Sequence, residues 1–134
     1  MAFHEAGEKA LQRLELAERF LSEGRELIDK DPVQASEKLY KAAEEAVKAI
    51  ATALDLDEAK KALEKGRWEL SLLDDAVYAI SEKLEVEGLI NWWDAAYRLY
   101  VDGFHEARLR NDDVKLRLRD VEALVNLAKK VLKA

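Results

Sequence analysis

The chain has 134 residues, of which 49% are hydrophobic and 37% charged, against a charged share of roughly 25% in typical globular proteins. Cysteine is absent, which excludes disulfides, thiolate nucleophiles and cysteine-based metal sites. The net charge of −6 gives the whole chain no attraction to nucleic acid or anionic membranes. No window of about 18 residues is free of charge. We therefore expect one domain over residues 1–134, with no membrane span and a cytoplasmic location.

The composition is also typical of proteins that work at high temperature. Lys, Arg and Glu are abundant, and Met1 is the only methionine. Ion-pair networks lose less to desolvation as temperature rises, which favours such a composition in hyperthermophiles.

The N-terminal part of the sequence predicts two helices joined by a tight connection. Apolar residues recur at helical spacing from about residue 5 to residue 28. Asp31 then stands where an N-cap acceptor is expected, Pro32 suits the first helical position, and Gln34 can reach back to the cap. Because the connection is short, we expect the first two helices to be antiparallel neighbours.

Breaks further along the chain predict three more helices. Asp57 is expected to cap a short third helix that ends at Gly66, and a fourth helix follows Trp68. Gly88 marks the next break. The fifth helix is predicted to run from about residue 89 to residue 110.

The C-terminal segment predicts a sixth helix and carries a local excess of positive charge. Asn111 or Asp112 can cap this helix. Residues 108–134 carry a net charge of +4, so residues 1–107 carry −10. A solvated helix face explains this distribution, and a phosphate-binding patch is the alternative. The basic side chains that could steer a polyanion are Arg108, Arg110, Arg117 and Arg119. The buried stripe is predicted to contain Val114, Leu118, Val121, Val125, Ala128 and Leu132.

Together these patterns predict an all-α protein, an up-and-down bundle of about five to six helices around one core. No stretch alternates apolar and polar residues over strand length, and no internal repeat is visible. A scaffold resembling tetratricopeptide repeats is disfavoured because only one helical hairpin is present.

The fifth helix contains the candidate site residues Arg98 and His105. They are seven positions apart, so at about 100° per residue they differ by only about 20° and share one face. That face lies opposite the arc predicted to enter the core. Val101 and Leu109 border the polar face, so a second copy of the chain could pack there. The predicted core arc consists of Trp92, Trp93, Ala96, Tyr97, Tyr100, Gly103, Phe104 and Ala107.

Two interpretations of this polar face remain open. In the first, Asp94, Arg98 and Asp102 form a ladder of i, i+4 ion pairs and His105 is a solvated neighbour. In the second, the Arg98 guanidinium binds phosphate oxygens and the His105 imidazole moves the proton of an RNA 2′-hydroxyl, with no metal. Asp94 and Asp102 would then support the pair.

Metal and cofactor chemistry is disfavoured. Asp102 and His105 have the acid-x-x-His spacing of di-iron bundles, but those sites need two such motifs and further carboxylates. The only other histidine is His4, and no glycine-rich phosphate loop is present.

Two segments resemble the archaeal PaREP family. Residues 34–43 (QASEKLYKAA) and 46–49 (AVKA) are similar to the second-helix signature of that family. Residues 99–107 (LYVDGFHEA) resemble its second signature, although Tyr100 stands where a histidine is expected.

The PaREP family in turn resembles the HEPN group, which implies a homodimeric bundle of four or five helices. Many HEPN proteins are metal-independent ribonucleases, and some are toxins that pair with nucleotidyltransferase-type partners. Their motif is an Arg, four to six residues, and a His, which Arg98 and His105 match; Leu99 stands where a polar residue is common. The resemblance implies a homodimeric ribonuclease or a protein that binds RNA or nucleotides. The alternative is a non-catalytic interaction or scaffold module.

Overall fold

Helices account for nearly all of the described chain. The computed structural model describes the backbone of residues 2–133 and the side chains of residues 7–133, and in this part it contains no strand. The prediction of an all-α, up-and-down bundle is confirmed. His4 lies outside the described side chains. The six α-helices are α1 (Ala2–Leu27), α2 (Pro32–Ala53), α3 (Asp57–Lys65), α4 (Leu70–Leu84), α5 (Leu89–Arg98) and α6 (Asn111–Lys133), with a π-helical segment (Leu99–His105) between α5 and α6.

The connection between α1 and α2 has the predicted capping geometry. The Asp31 carboxylate accepts a hydrogen bond from the Gln34 backbone N–H at 3.1 Å, and Pro32 is the first helical residue. The turn is closed by the backbone N–H of Asp31, which donates to the Leu27 carbonyl at 2.7 Å. The two helices then pack along their length, as the short connection predicts.

The core is built around α2, which contacts every other helix and the π-helical segment. Leu39, Val47 and Ile50 are fully buried on this helix. Burial of each such side chain is worth roughly 1.5–3 kcal/mol. Small residues between them let the neighbouring helices approach closely. The alanines buried on α2 are Ala35, Ala42, Ala43, Ala46, Ala49 and Ala51.

A buried carboxylate joins α1 to α2. Glu45 is only 5% exposed. Its Oε1 lies 2.9 Å from Arg13 Nη1 on α1, and its Oε2 lies 3.1 Å from Lys48 Nζ on α2. Because both oxygens have a cationic partner, the carboxylate is accommodated inside the helix pair.

Most predicted helix ends are confirmed, and the predicted cap of α3 is wrong. Gly66 and Gly88 adopt φ of 76° and 88°, in the left-handed region, at the predicted breaks. Asp57 is not the cap of α3 but its first residue; the N-cap is Leu56, which makes no side-chain cap bond. The Asp57 carboxylate still lies in the first turn, where it opposes the positive end of the helix dipole.

The predicted fifth helix is wrong beyond residue 98. The α-helix ends at Arg98, the π-helical segment ends at His105, and Ala107 adopts φ of 51° in the connection to α6. A close contact with α2 accompanies this change. A Cβ on Gly103 would lie 2.2 Å from Ser36 Oγ and 2.6 Å from Ser36 Cβ. The backbone therefore approaches α2 at a distance that only glycine permits.

Helix α6 begins at Asn111, so the predicted caps Asn111 and Asp112 are its first two residues and the residue before the helix is Arg110. Asp113 Oδ2 accepts from the Arg110 N–H at 2.9 Å, and Asn111 Oδ1 accepts from the Asp112 N–H at 2.9 Å. The predicted stripe faces the core, with Leu118 and Leu132 half-buried and the others buried; the fully buried Leu124 was not predicted. Across residues 2–133, no helix is both long and apolar enough to span a membrane.

Candidate functional site

Arg98 and His105 mark the two ends of the π-helical segment. Arg98 is the last residue of α5, and His105 is the last residue of the segment. Both side chains are exposed, with 54% of the Arg98 side chain accessible. Neither group enters the hydrophobic core, so both can reach a ligand.

The Asp102 carboxylate is shared by two guanidinium groups. Arg98 Nε donates to Oδ2 at 3.1 Å, while Arg108 donates to Oδ1 through Nε at 3.0 Å and through Nη2 at 2.7 Å. The hydrogen bond from Arg108, with further contributions from both positive charges, lowers the pKa of Asp102 below its ordinary value of 3.8. The carboxylate therefore stays ionised and holds both arginines at one place.

The His105 ring contacts aromatic side chains. It meets the Tyr100 ring edge-on, with 4.5 Å between ring centroids, and lies 5.0 Å from the Phe104 ring centroid. Within residues 7–133, His105 makes no side-chain hydrogen bond or ion pair with Arg98 or Asp102. A π-helix bonds five residues back, so it turns less per residue than an α-helix, and the predicted offset of about 20° does not apply.

The predicted ion-pair ladder is formed only in part. Arg98 pairs with Asp102, as predicted. Asp94 is exposed and makes no ion pair within the part of the chain whose side chains are described. Its supporting role is therefore not realised by a contact with Arg98.

Leu109 and Ala107 are placed differently from the prediction. Leu109 is buried, and one of its methyl carbons would lie 3.4 Å from a Cβ on Gly103. Val101 is half-buried, whereas Ala107, predicted in the core, is exposed. The reason is that the helix ends at His105, so the helical spacing does not extend to residues 107 and 109.

The four arginines proposed as phosphate contacts have different surroundings. Arg108 is held by Asp102, as described above. Arg110 lies 3.6 Å from Asp113, and Arg117 Nη1 donates to the Asp113 carbonyl at 2.8 Å. Arg119 is exposed and makes no ion pair within residues 7–133. Three of the four are thus already engaged in local contacts on or before the first turns of α6.

A cleft of about 360 Å³ lies between α2, the start of α4 and the π-helical segment. We call it the aromatic cleft. Tyr40 and Tyr100 stack on one another in its wall, with 4.3 Å between ring centroids. Burial, and then the nearby Glu44 charge, raises the pKa of Tyr40, so its hydroxyl remains protonated. Its aromatic walls are Tyr40, Trp68, Tyr100 and Phe104, and its charged lining residues are Glu37, Lys41 and Glu44.

The sequence did not indicate this cleft, because its walls come from three separate elements. Tyr40 lies on α2 and Trp68 lies in the connection before α4, and helical periodicity relates only residues within one helix. Metal ligation finds no support in the described side chains, where no three His, Asp or Glu residues gather around a common point.

The fold defines an all-helical bundle protein with an exposed Arg and an exposed His at the ends of a π-helical segment. The chain belongs to the archaeal PaREP1/PaREP8 family, whose model matches residues 12–125. The predicted PaREP resemblance is therefore confirmed.

Solved structures agree with this family assignment. The chain is 36% identical to a Sulfolobus solfataricus protein solved by crystallography, with a TM-score of 0.79, covering 87% of this chain and 95% of that one. A solution structure of the same structural-genomics target matches with 36% identity and a TM-score of 0.75, covering 87% of this chain and 91% of that one. No curated protein matches the chain.

Proposed function

We propose that the protein is a HEPN-like, metal-independent ribonuclease, in which Arg98 binds phosphate and His105 transfers the proton of an RNA 2′-hydroxyl. The observation that carries the proposal is the exposure of both side chains on one short segment, with a second guanidinium, Arg108, held beside the first.

The arginine pair retains donors for phosphate oxygens. A guanidinium has five N–H donors. Asp102 accepts from one nitrogen of Arg98 and from two nitrogens of Arg108. The remaining donors are available to an RNA phosphate.

His105 is the only histidine among the described side chains, and a histidine imidazole can act as a general base. In the proposed step its imidazole takes the 2′-hydroxyl proton, and the 2′-oxygen attacks the adjacent phosphorus. The bond from phosphorus to the 5′-oxygen breaks, and that oxygen receives a proton. The products are a 2′,3′-cyclic phosphate and a 5′-hydroxyl.

A homodimer is the second part of the proposal. Two paired copies would bring two Arg–His sets to one RNA, and the half-buried Val101 would lie near the contact. Light scattering coupled to size exclusion should give about twice the mass of one chain.

The test is RNA cleavage in EDTA at moderate and high temperature. We expect wild-type protein to cleave, His105→Ala to lose cleavage, and Arg98→Ala to bind RNA more weakly with a shallower dependence on salt. Arg67→Ala is the matched control, because Arg67 is an exposed arginine on the connection between α3 and α4. Intact RNA with folded wild-type protein at both temperatures would overturn the proposal.

The Asp102 cluster also favours a second candidate function, a non-catalytic interaction module. Ion-paired arginines on a charge-balanced surface suit a protein partner, for example of the nucleotidyltransferase type that the HEPN resemblance implies. In that case Arg98→Ala would release the partner or the second copy, and wild-type protein would leave RNA intact.

A further inference from the structure

The aromatic cleft contains a carboxylate, Glu44, whose ammonium partner lies closer to another carboxylate. Glu44 lies 3.8 Å from Lys48 Nζ, whereas the same ammonium lies 3.1 Å from Glu45. Burial of Glu44, only partly offset by Lys48, raises the pKa of this carboxyl. A further positive charge beside Glu44 would therefore stabilise its ionised form.

The lysine at the edge of the cleft, Lys41, supplies only part of that charge, because it acts on Glu44 at a distance and forms no ion pair with it. Lys41 Nζ lies 3.8 Å from Glu37 and 5.7 Å from the centre of the Phe20 ring. Phe20 is on α1 and is not part of the cleft wall. The Lys41 ammonium is therefore shared between Glu37 and the Phe20 ring, which leaves the Glu44 carboxylate available to a ligand.

A tyrosine hydroxyl also opens into the cleft without a hydrogen-bond partner from residues 7–133. Tyr40 is only 6% exposed, yet its hydroxyl has no hydrogen-bond partner among the described side chains. No described side-chain oxygen is both sealed from solvent and unpaired, so this hydroxyl reaches the cleft space. It can accept a hydrogen bond from a ligand N–H.

We propose that the aromatic cleft binds an organic cation, a primary ammonium group on an alkyl chain, with Glu44 and the Tyr40 hydroxyl accepting from its N–H groups. The faces of Trp68 and Phe104 would attract the charge, since aromatic rings have negative faces. The cleft volume of about 360 Å³ accommodates such a chain.

The same observations disfavour a nucleobase or a phosphate in this cleft. Tyr40 and Tyr100 already stack at 4.3 Å, which leaves no gap between them for a planar base. The Glu37 and Glu44 carboxylates repel phosphate. The cation site therefore does not depend on the ribonuclease proposal.

The ammonium could come from a free diamine or from a lysine side chain of another protein. Titration calorimetry distinguishes these sources with two compounds. One is 1,5-diaminopentane, and the other is lysine whose α-amino group is acetylated and whose carboxyl is an amide, so that only its side-chain ammonium is charged. Binding of both favours a lysine, and binding of the diamine alone favours a free polyamine. 1,5-Pentanediol is the neutral control of equal length, and guanosine monophosphate tests the competing ligand class.

Variants locate the bound cation. We expect Glu44→Gln to weaken diamine binding about tenfold and Phe104→Leu about threefold, while Glu64→Gln leaves it unchanged. Glu64 is an exposed glutamate on α3, outside the cleft. In NMR spectra, diamine should shift the indole N–H signal of Trp68 more than that of Trp93, which donates to Asp74 at 2.8 Å.

Three outcomes would overturn the proposal. They are equal binding of diamine and diol, no binding of either ammonium compound, and preferential binding of the nucleotide in the cleft. Loss of RNA cleavage by His105→Ala is measured separately, so failure of one proposal leaves the other standing.

Discussion

Helix α1 and the segment from α5 to α6 both pack on α2, but the α1–α2 hairpin and this second region are specified differently. In the hairpin, the Asp31 cap and Pro32 define the start of a regular α-helix, and Glu45 on α2 pairs with Arg13 on α1. In the second region the α-helix gives way to a π-helix at Leu99, and Gly103 lies against Ser36. Local signals thus determine the hairpin, whereas a long-range contact accompanies the irregular backbone.

The irregular region is also where both candidate sites meet. His105 ends the π-helical segment, and Tyr100 and Phe104 of the same segment form part of the aromatic cleft. Single π-helical turns inside α-helices are frequently found at functional sites. The position of the π-helical segment at both candidate sites agrees with a role of this segment in binding.

The largest expected effect is at Gly103, where the irregular region packs on α2. In Gly103→Ala the new Cβ would meet Ser36 Oγ at 2.2 Å and Ser36 Cβ at 2.6 Å, so helix backbones must move apart. Overpacking of this kind costs about 1–3 kcal/mol and sometimes more. Chemical denaturation should therefore show a clear loss in the free energy of unfolding.

Gly7→Ala is the matched control for this substitution. A Cβ on Gly7 would meet nothing within 4 Å, so alanine should stabilise α1 by about 0.5–1 kcal/mol. Adding Ser36→Gly to Gly103→Ala removes both clashing atoms and should recover part of the loss. A Gly103→Ala protein as stable as wild type would contradict the packing account.

The next effect tests the hairpin through its buried carboxylate. Glu45→Gln leaves Arg13 and Lys48 without their shared negative partner. Because hydrogen bonds to charged groups are worth about 1.5–3 kcal/mol and Arg13 can turn to water, we expect a loss of about 1–2 kcal/mol. Thermal unfolding measures it, with the exposed Glu64→Gln as control; an equal effect of the two variants would argue against a structural role for Glu45.

A smaller effect is expected at the start of α2. Asp31→Ala removes the acceptor of the Gln34 N–H and should cost about 1 kcal/mol. Asp31→Asn retains an acceptor oxygen and should remain close to wild type. Equal losses of unfolding free energy in both variants would indicate that the charge of Asp31, and not its hydrogen bond to the Gln34 N–H, stabilises the N-terminus of α2.

Local chemistry explains which parts of the fold could be predicted. The Asp31 cap, the left-handed Gly66 and Gly88, and the stripe of α6 depend on residues within a few positions of one another. The π-helix could not be predicted in this way, because Ser36 and Gly103 are far apart in sequence. One signal was present in the sequence, namely Gly103 inside the predicted fifth helix. A glycine there costs about 1 kcal/mol relative to alanine, which indicates that close packing requires it.

The candidate site could be predicted only in part, for the same reason. Arg98, His105 and the pairing of Arg98 with Asp102 follow from the sequence. The second guanidinium on Asp102 does not, because Arg108 comes back to it only after the helix has ended. The aromatic cleft needs the tertiary fold, since Glu44 and Trp68 meet Phe104 only in the folded chain.

The smallest expected effect concerns the pH dependence of Asp102. Its pKa is lowered, chiefly by the hydrogen bond from Arg108, so its contribution to stability is present above pH 3.8 and is lost as pH falls through the folded-state pKa. Asp102→Asn should therefore melt below wild type at pH 6, and the difference should vanish well below pH 3.8. Asp75→Asn removes an exposed carboxylate without an ion pair in residues 7–133, so its difference from wild type should stay near zero throughout. A gap for Asp102→Asn that persists in acid would mean that the side chain acts through packing and not through its charge.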